Sequence, residues 1–445
     1  MFYLSKDKEL TTELLQKMIK KFKSDIMPKL EKSKKYYDGI QAILEKTYTD
    51  KSKPCNKTIT NYCKNIADSY CGYLASPGFI SYRSEQDIED VMDILRYNDF
   101  QAEDSDFLLD ALTYGVAAEL MFTDKDGKVR FKLINPTQCF GIYDDSLEGD
   151  LTHFVRMYPV DEWDDLDNWN VDVYDNYIIK HYRTDNATGI LTFISEEFHF
   201  FNQCPANIFA LPDNKSIFEC IMSLQDASNE LLSSEIDDYS AFCDAYLTLT
   251  GLDAESDDIA AMKENRVLIL PEGAQASWLT KAASDAQVEN ILKRIHDSIY
   301  RIAACPDFSS ESFVGGVSSG IAIKYRLTGM ETRAAKIEAE MKKALQRRIE
   351  IITGIASLKL GEEVFRDIQI EFKRNIPEDQ TAVIAMINSL KGSVSDATLL
   401  SQLDFIQDVN AELEAVEAQK KANMETFGFG LVNDTEDEED GSEDE

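Results

Sequence analysis

Apolar residues recur at helical spacing through the first fifty positions, where Leu14, Leu15, Met18 and Ile19 sit among mixed charges. That period predicts helix. Pro54 breaks it. A second helix is predicted through Ile59–Leu74 and ends in the loop Ser76-Pro77-Gly78, while Asp87–Leu95 and Ser105–Tyr114 read as two more. The period then shortens to two. Val116–Phe122 and Lys128–Ile134 flank Asp124-Lys125-Asp126-Gly127, a hairpin signal because Asp-Gly supplies the positive φ of a tight turn. Phe140–Tyr143, Thr152–Tyr158, Val171–Tyr182 and Gly189–Phe201 continue as alternating strands, so the region ending near Pro212 is α+β.

From Lys215 the pattern predicts one long helix. Ile217, Ile221, Leu224, Leu231, Leu232, Tyr239 and Phe242 share one face, with Glu219, Asp226, Glu230 and Asp237 opposite. Its ~28 residues would span roughly 40 Å, packed against a neighbour in front and exposed behind. A small mixed insert follows: strand Tyr246–Thr250, helix Asp257–Lys263, strand Val267–Leu270 and a turn at Pro271-Glu272-Gly273. A further amphipathic helix, Asp285–Ala304, packs through Val288, Ile291, Leu292, Ile295, Ile299 and Ile302, and Cys305-Pro306-Asp307 stops it. Phe308–Gly320 is rich in Gly and Ser and reads as a flexible loop. It opens into the longest helix, Ile321 to about Ile352, and two or three shorter helices lie between Pro377 and Met424.

Composition sharpens this picture in three places. A chain of 445 residues exceeds one compact core and divides into several structural regions. It has no run of 18 apolar residues and no signal-peptide pattern, which predicts a protein kept in a cytoplasm without membrane contact. Eight cysteines include no CxxC pair, and buried reduced thiols are expected rather than zinc or disulfides.

A net charge of −35 argues against wrapping nucleic acid on the outer surface. The charge is uneven. Asp144–Asp175 holds eleven carboxylates and one cation, Arg156, and Asp434–Glu445 holds nine carboxylates and none. Lys293–Arg348 reverses this with eleven Lys/Arg against six Asp/Glu, which raises the question of where those cations face.

Catalytic motifs are poorly supported. Gly316-Val317-Ser318-Ser319-Gly320 matches the GxSxG nucleophile elbow literally. No core strand precedes it and no histidine follows, since the last, His296, lies upstream. The same glycines lack the strand and the Lys-Ser/Thr of a phosphate-binding loop. His153, His181, His199 and His296 form no ligand pair. The aspartates of Asp161–Asp175 lack the Gly and closing Glu of a calcium loop and read as a solvated connection. No catalytic residue, metal or cofactor is assigned.

An ordered set of short words carries a resemblance instead. Tyr36-Tyr37-Asp38-Gly39-Ile40 comes first, then Asn56-Lys57-Thr58-Ile59 through Asp68, and Gly72-Tyr73-Leu74 with Pro77. Tyr114-Gly115-Val116-Ala117-Ala118-Glu119, Asn135-Pro136 and Ile142-Tyr143-Asp144-Asp145 follow. Pro205, the Leu211–Asn214 turn, Pro306-Asp307, Ser319-Gly320-Ile321-Ala322, Ser395, Thr398-Leu399-Leu400 and Asp408–Glu412 complete the series. From about Tyr36 to Glu414 the chain resembles the portal proteins of tailed bacteriophages, the family found in siphoviruses of Gram-positive bacteria. Ser76 and Cys204 stand where that family usually has Gly.

The resemblance implies an α+β portal-type ring subunit. Its parts are an α/β wing (1–215), a first stem helix (216–243), a small α/β clip (244–283) and a second stem helix (284–305). A tunnel loop (306–320), a long helix returning to the wing (321–378), a helical crown (379–430) and a disordered acidic tail (431–445) follow. It also implies a ring of about twelve subunits at a capsid vertex of the virion, assembled in the bacterial cytoplasm. The partners would be double-stranded DNA, terminase, head-completion proteins, and capsid and scaffolding proteins. The alternatives are another head–tail connector or minor capsid protein and, less well supported, an uncharacterised hydrolase.

Candidate DNA-channel residues are Asn290, Arg294, Asp297 and Arg301, which share a stripe opposite the apolar face of the second stem helix. The plain alternative is a solvated face, with Arg294–Asp297 and Asp297–Arg301 as helical ion pairs. The candidate tunnel-loop residues are Ser309, Ser310, Phe313, Gly315, Gly316, Ser318, Ser319 and Gly320.

Overall fold

The computed structural model describes residues 2–49, 54–76, 78, 80–161, 163, 168–185, 189–242, 246–250, 275–279, 285–309, 320–355, 364–374 and 380–400, with short pieces between 403 and 421. These residues fall into two units, Met1–Asn375 and Ile376–Glu445. Helices Gln380–Leu390 and Asp396–Leu400 belong to the second unit.

The strands of the first unit are β1 (Phe2–Leu4), β2 (Ile80–Arg83), β3 (Val116–Thr123), β4 (Val129–Ile134), β5 (Cys139–Asp144), β6 (Leu151–Pro159) and β7 (Trp169–Tyr174). They continue as β8 (Ile178–Asp185), β9 (Ile190–Phe198), β10 (Ala206–Ala210), β11 (Tyr246–Thr250), β12 (Gln275–Leu279) and β13 (Gln369–Phe372). The largest sheet runs β1-β5-β6-β7-β8-β9, antiparallel except for the parallel pair β1–β5. A three-stranded sheet runs β10-β3-β4, and β11–β12 and β13–β2 are two-stranded.

The periodic residues of the N-terminal helix bury as their spacing requires. Thr11 caps Thr12–Lys21 by accepting from the Leu14 N–H at 3.3 Å. Leu15, Met18 and Ile19 then join Phe2, Ile142, Val155, Val171 and Leu191 in one core under the large sheet.

Several boundaries differ from the sequence expectation, each for a local reason. The predicted strand Val171–Tyr182 is two strands, because Asp175 Oδ1 accepts from the N–H groups of Tyr177 and Ile178 and turns the chain. The helix expected from Ile59 starts at Tyr62, where Asn61 caps it. Glu89–Tyr97 and Phe100–Tyr114 are separated by Asp99 at φ 52°. Strands β1, β2, β10, β12 and β13 were not expected; each is short and pairs with residues distant in sequence. Cysteines 63, 71, 139, 204 and 305 are buried as expected, whereas Cys55 and Cys220 are exposed.

Gly115 is required twice over. Its φ is +84°, and a Cβ there would sit 2.6 Å from the Lys215 backbone nitrogen. That close approach lets Ile217 N–H bond Leu112 O, which sets the start of the next helical segment.

The helix expected from Lys215 is shorter, Met222–Phe242, after a single 3-10 turn at Glu219–Ile221. At 1.5 Å per residue it spans roughly 30 Å. Its acidic back is not uniformly solvated. Tyr36 Oη donates to both oxygens of Asp226, at 2.9 and 2.7 Å. Asp237 accepts from the Asn56 N–H at 2.6 Å, Asn56 Nδ2 at 2.8 Å and Tyr48 Oη at 3.2 Å. Gln225, Asn229, Ser233 and Asp237, each four residues on, form a buried polar row seated against the chain between Tyr36 and Tyr62. Glu219 and Glu230 alone of the four acids face solvent as expected.

The long helix Gly320–Thr353 crosses the first unit and is held by a buried ion network. Arg348 is 0% exposed. Its Nε lies 2.9 and 3.0 Å from the Glu119 oxygens, and its Nη1 bonds Asp104. Tyr82 Oη donates to Asp104 at 2.9 Å, Asn207 Nδ2 donates to Glu119 at 2.6 Å, and the guanidinium covers the Phe131 ring at 4.5 Å. Nearer its start the helix is tied by Arg374, which bridges Glu331 and Glu338.

Asp110 gives a pH-dependent prediction. Burial and then Asp106 push its carboxyl up to about 6, against the pull of Lys34. The folded state therefore holds a proton between about pH 4 and 6 that the unfolded chain has released, and stability falls as pH rises through that window. Asp110→Asn is expected to add up to about 3 kcal/mol at pH 7.5 and nothing below about pH 4. Urea unfolding at the two pH values checks this; equal effects at both would disprove the assignment.

Candidate nucleic-acid interface

The helix Asp285–Ala303 packs on Met222–Phe242. Ile299 and Ala303 are fully buried, and Val288, Leu292 and Ile295 are half-buried. Ile291 and Ile302, expected in the same face, are 40% and 49% exposed, so the apolar stripe of this helix is only partly covered within one chain. Its C-terminal carbonyls are satisfied by side chains. Tyr70 Oη donates to the oxygens of Ala303 and Ala304 at 3.0 and 3.1 Å, and Arg333 Nη1 donates to Ala303 at 3.1 Å. Arg333 Nη2 also reaches Ile217 O at 2.9 Å, so one guanidinium joins this helix end to the segment leading into the first helix. No motif in the sequence marks Arg333 or Tyr70 for this role.

Asn290, Arg294, Asp297 and Arg301 all lie exposed along the face away from the packed residues. Asn290 Nδ2 donates to its own helix at Ala286 O, 2.6 Å away. Among the described residues, no ion pair within 4 Å joins Arg294 or Arg301 to Asp297 or to any other acid. Among the described residues the two helical pairs of the plain alternative are therefore not formed, and both guanidinium groups are exposed. Arg301 also lies in the last turn, where a cation is favoured by the helix dipole.

The question of where the basic segment faces is answered in two parts. Arg333, Arg347 and Arg348 turn inward to protein acceptors. Lys293, Arg294, Arg301, Lys324 and Arg326, on either side of the Gly/Ser-rich segment, are exposed. Tyr325, 78% exposed between two of them, was not singled out from sequence.

Of the candidate loop residues, Ser309 is described and exposed, with its N–H and Oγ both donating to Asp307 Oδ1 at 3.0 and 2.6 Å. Ser310, Phe313, Gly315, Gly316, Ser318 and Ser319 lie outside the described residues. Gly320 does not belong to a loop: it is the first residue of the long helix, which starts one position earlier than expected. The predicted clip elements Asp257–Lys263 and Val267–Leu270 and the acidic tail after residue 431 also fall outside the described residues. The predicted strand Tyr246–Thr250 is β11, paired antiparallel to the unexpected β12, with Tyr246 opposite Leu279 and Thr250 opposite Gln275. No helix among the described residues is long and apolar enough to cross a membrane.

Comparison with known proteins places the chain in a family. No curated protein matches the chain. A family model described as phage portal protein, SPP1 Gp6-like, matches residues 16–426. That match takes in both packed helices, the paired strands between them, the exposed arginines and the long helix; the chain belongs to the SPP1 Gp6-like family of phage portal proteins.

Proposed function

We propose that the chain divides the work of a portal among its segments. Portal proteins of this family are structural, forming the ring at a capsid vertex through which DNA is packaged and ejected. That is the function of this chain, and the observation that carries it is the family match over residues 16–426. The helices Met222–Phe242 and Asp285–Ala303 act as the stem, with 244–283 between them as the clip that meets terminase and later the head-completion proteins. Residues 1–215 and the return of the long helix over 321–378 form the wing, 306–319 the tunnel loop and 379–430 the crown. Support for this order comes from two mutually packed helices separated by a paired β11–β12 insert.

The mechanism is electrostatic and steric. DNA has to slide, so the channel binds backbone weakly and reads no bases. A chain of net charge −35 does not trap a duplex. The exposed Arg294 and Arg301 of each subunit become belts of positive charge when repeated around about twelve subunits, and they keep the duplex centred. The expected product at micromolar concentration is a ring of about twelve copies, seen by native mass spectrometry and negative-stain microscopy. A stable, folded monomer across a range of salt concentrations would overturn the assembly.

A further inference from the structure

His296 lies on the inner side of the same helix that carries the arginine stripe, and it is held more closely than packing requires. Its ring sits between Tyr62 and Tyr300, with centroids 5.6 and 4.9 Å away. Nδ1 is 3.2 Å from Tyr62 Oη, and Nε2 is 3.1 Å from Asp307 Oδ2. A neutral imidazole satisfies both contacts at once, with Nδ1 accepting from the phenol and Nε2–H donating to the carboxylate. The three residues belong to three different parts of the fold. Tyr62 opens the helix Tyr62–Leu74, His296 lies two turns before the end of Asp285–Ala303, and Asp307 lies just beyond the point where the chain leaves that helix.

Asp307 is in turn the acceptor for the N–H and Oγ of Ser309. Burial opposes its ionisation, but the Ser309 and His296 bonds outweigh that and hold its carboxyl below the ordinary value. The chain leaving the helix is thus pinned through one carboxylate. Ala304 at φ 52° sharpens the exit, and Tyr70 and Arg333 hold the backbone immediately before it.

We propose that His296 is a positioning residue that, through Asp307, fixes the direction in which the chain leaves the Asp285–Ala303 helix as far as Ser309. The proposal rests on the portal reading for its consequence, since a misdirected exit from this stem helix would hinder passage of DNA, but the latch itself is a property of the single chain. The coupling runs through hydrogen bonds and not only through aromatic packing, and this separates it from a merely structural role.

The test uses the full chain with His296→Phe, which keeps an aromatic ring between the two tyrosines and removes both bonds. Amide hydrogen exchange at Phe308 and Ser309 is expected to rise at least tenfold while the melting temperature and ring assembly stay near wild type, and DNA packaged per particle falls. Asp307→Ala should give the same exchange, and the double variant should be no worse than either single one. Exchange within twofold of wild type in His296→Phe, or effects that multiply in the double variant, would overturn the latch. If His296→Phe does not fold, Asp307→Ala and Tyr62→Phe carry the same comparison. Absence of rings from the wild-type chain would remove the portal reading, while the exchange experiment would still decide the latch.

Discussion

Arg348→Leu is expected to destabilise the protein by about 3–5 kcal/mol, the largest effect of any single substitution considered. The reason is what the substitution leaves behind. Glu119 and Asp104 have side chains 0% and 1% exposed, and Arg348 is the cation both of them face. Removing it strands two buried carboxylates, and an uncompensated buried charge costs far more than the pair itself contributes. Burial already pushes the Asp104 carboxyl up, and Arg348 and Tyr82 pull against it. Without the arginine that restraint goes, so the variant should recover stability as pH falls and Asp104 takes up a proton.

The comparison that isolates the effect is a triple change, Arg348→Met with Glu119→Gln and Asp104→Asn, which removes all three charges at similar volume. It should be markedly more stable than Arg348→Leu alone. Urea unfolding at pH 7.5 and 4.5 measures both. A loss below about 1 kcal/mol in Arg348→Leu would show that the network does not bear on stability. The network joins three elements, because Glu119 lies on β3, Asp104 on the helix Phe100–Tyr114, and Arg348 on the long helix.

Replacing Arg294 and Arg301 with Gln together should lower the DNA packaged per particle by about tenfold while leaving the fold almost untouched. Neither guanidinium touches the core or pairs with an acid among the described residues, so surface-level stability changes within about 0.5 kcal/mol are expected. Two charges lost per subunit become two belts lost around the ring, and the salt dependence of DNA association should weaken with them. Rings are counted by microscopy, melting is followed by calorimetry, and packaged DNA is measured per particle. Intact double-variant rings that package normally would show that this stripe does not meet the duplex.

The two experiments fail in different ways. A defect in Arg348→Leu appears before assembly, as lost protein. A defect in the arginine stripe appears only after assembly, as lost DNA. Together they separate the residues that build the subunit from those that serve its channel.

Much of the fold was legible locally. The β3–β4 hairpin was readable because Asp124 and Gly127 close the turn by themselves, and the Asp285–Ala303 helix because its apolar period is regular over nineteen residues. The exposed stripe Asn290, Arg294, Asp297 and Arg301 followed from the same periodicity. Portal family membership was legible too, since ordered short words survive without any knowledge of contacts. What the sequence left open was every feature whose cause lies far along the chain. Strand β1 exists because Phe2 pairs with Ile142, and β13 because Phe372 pairs with Ile80. Asp226 and Asp237 looked like solvated acids, yet they are held by Tyr36 and Asn56 across some 180–190 residues of sequence. Charge alone cannot say whether a carboxylate faces water or a phenol, because hydrogen-bond partners are chosen by three-dimensional proximity. Arg348 is the clearest case. It stands in a basic run beside Arg347, with nothing local to mark it, and only the meeting of a helix, a hairpin and the long helix makes it the centre of the core.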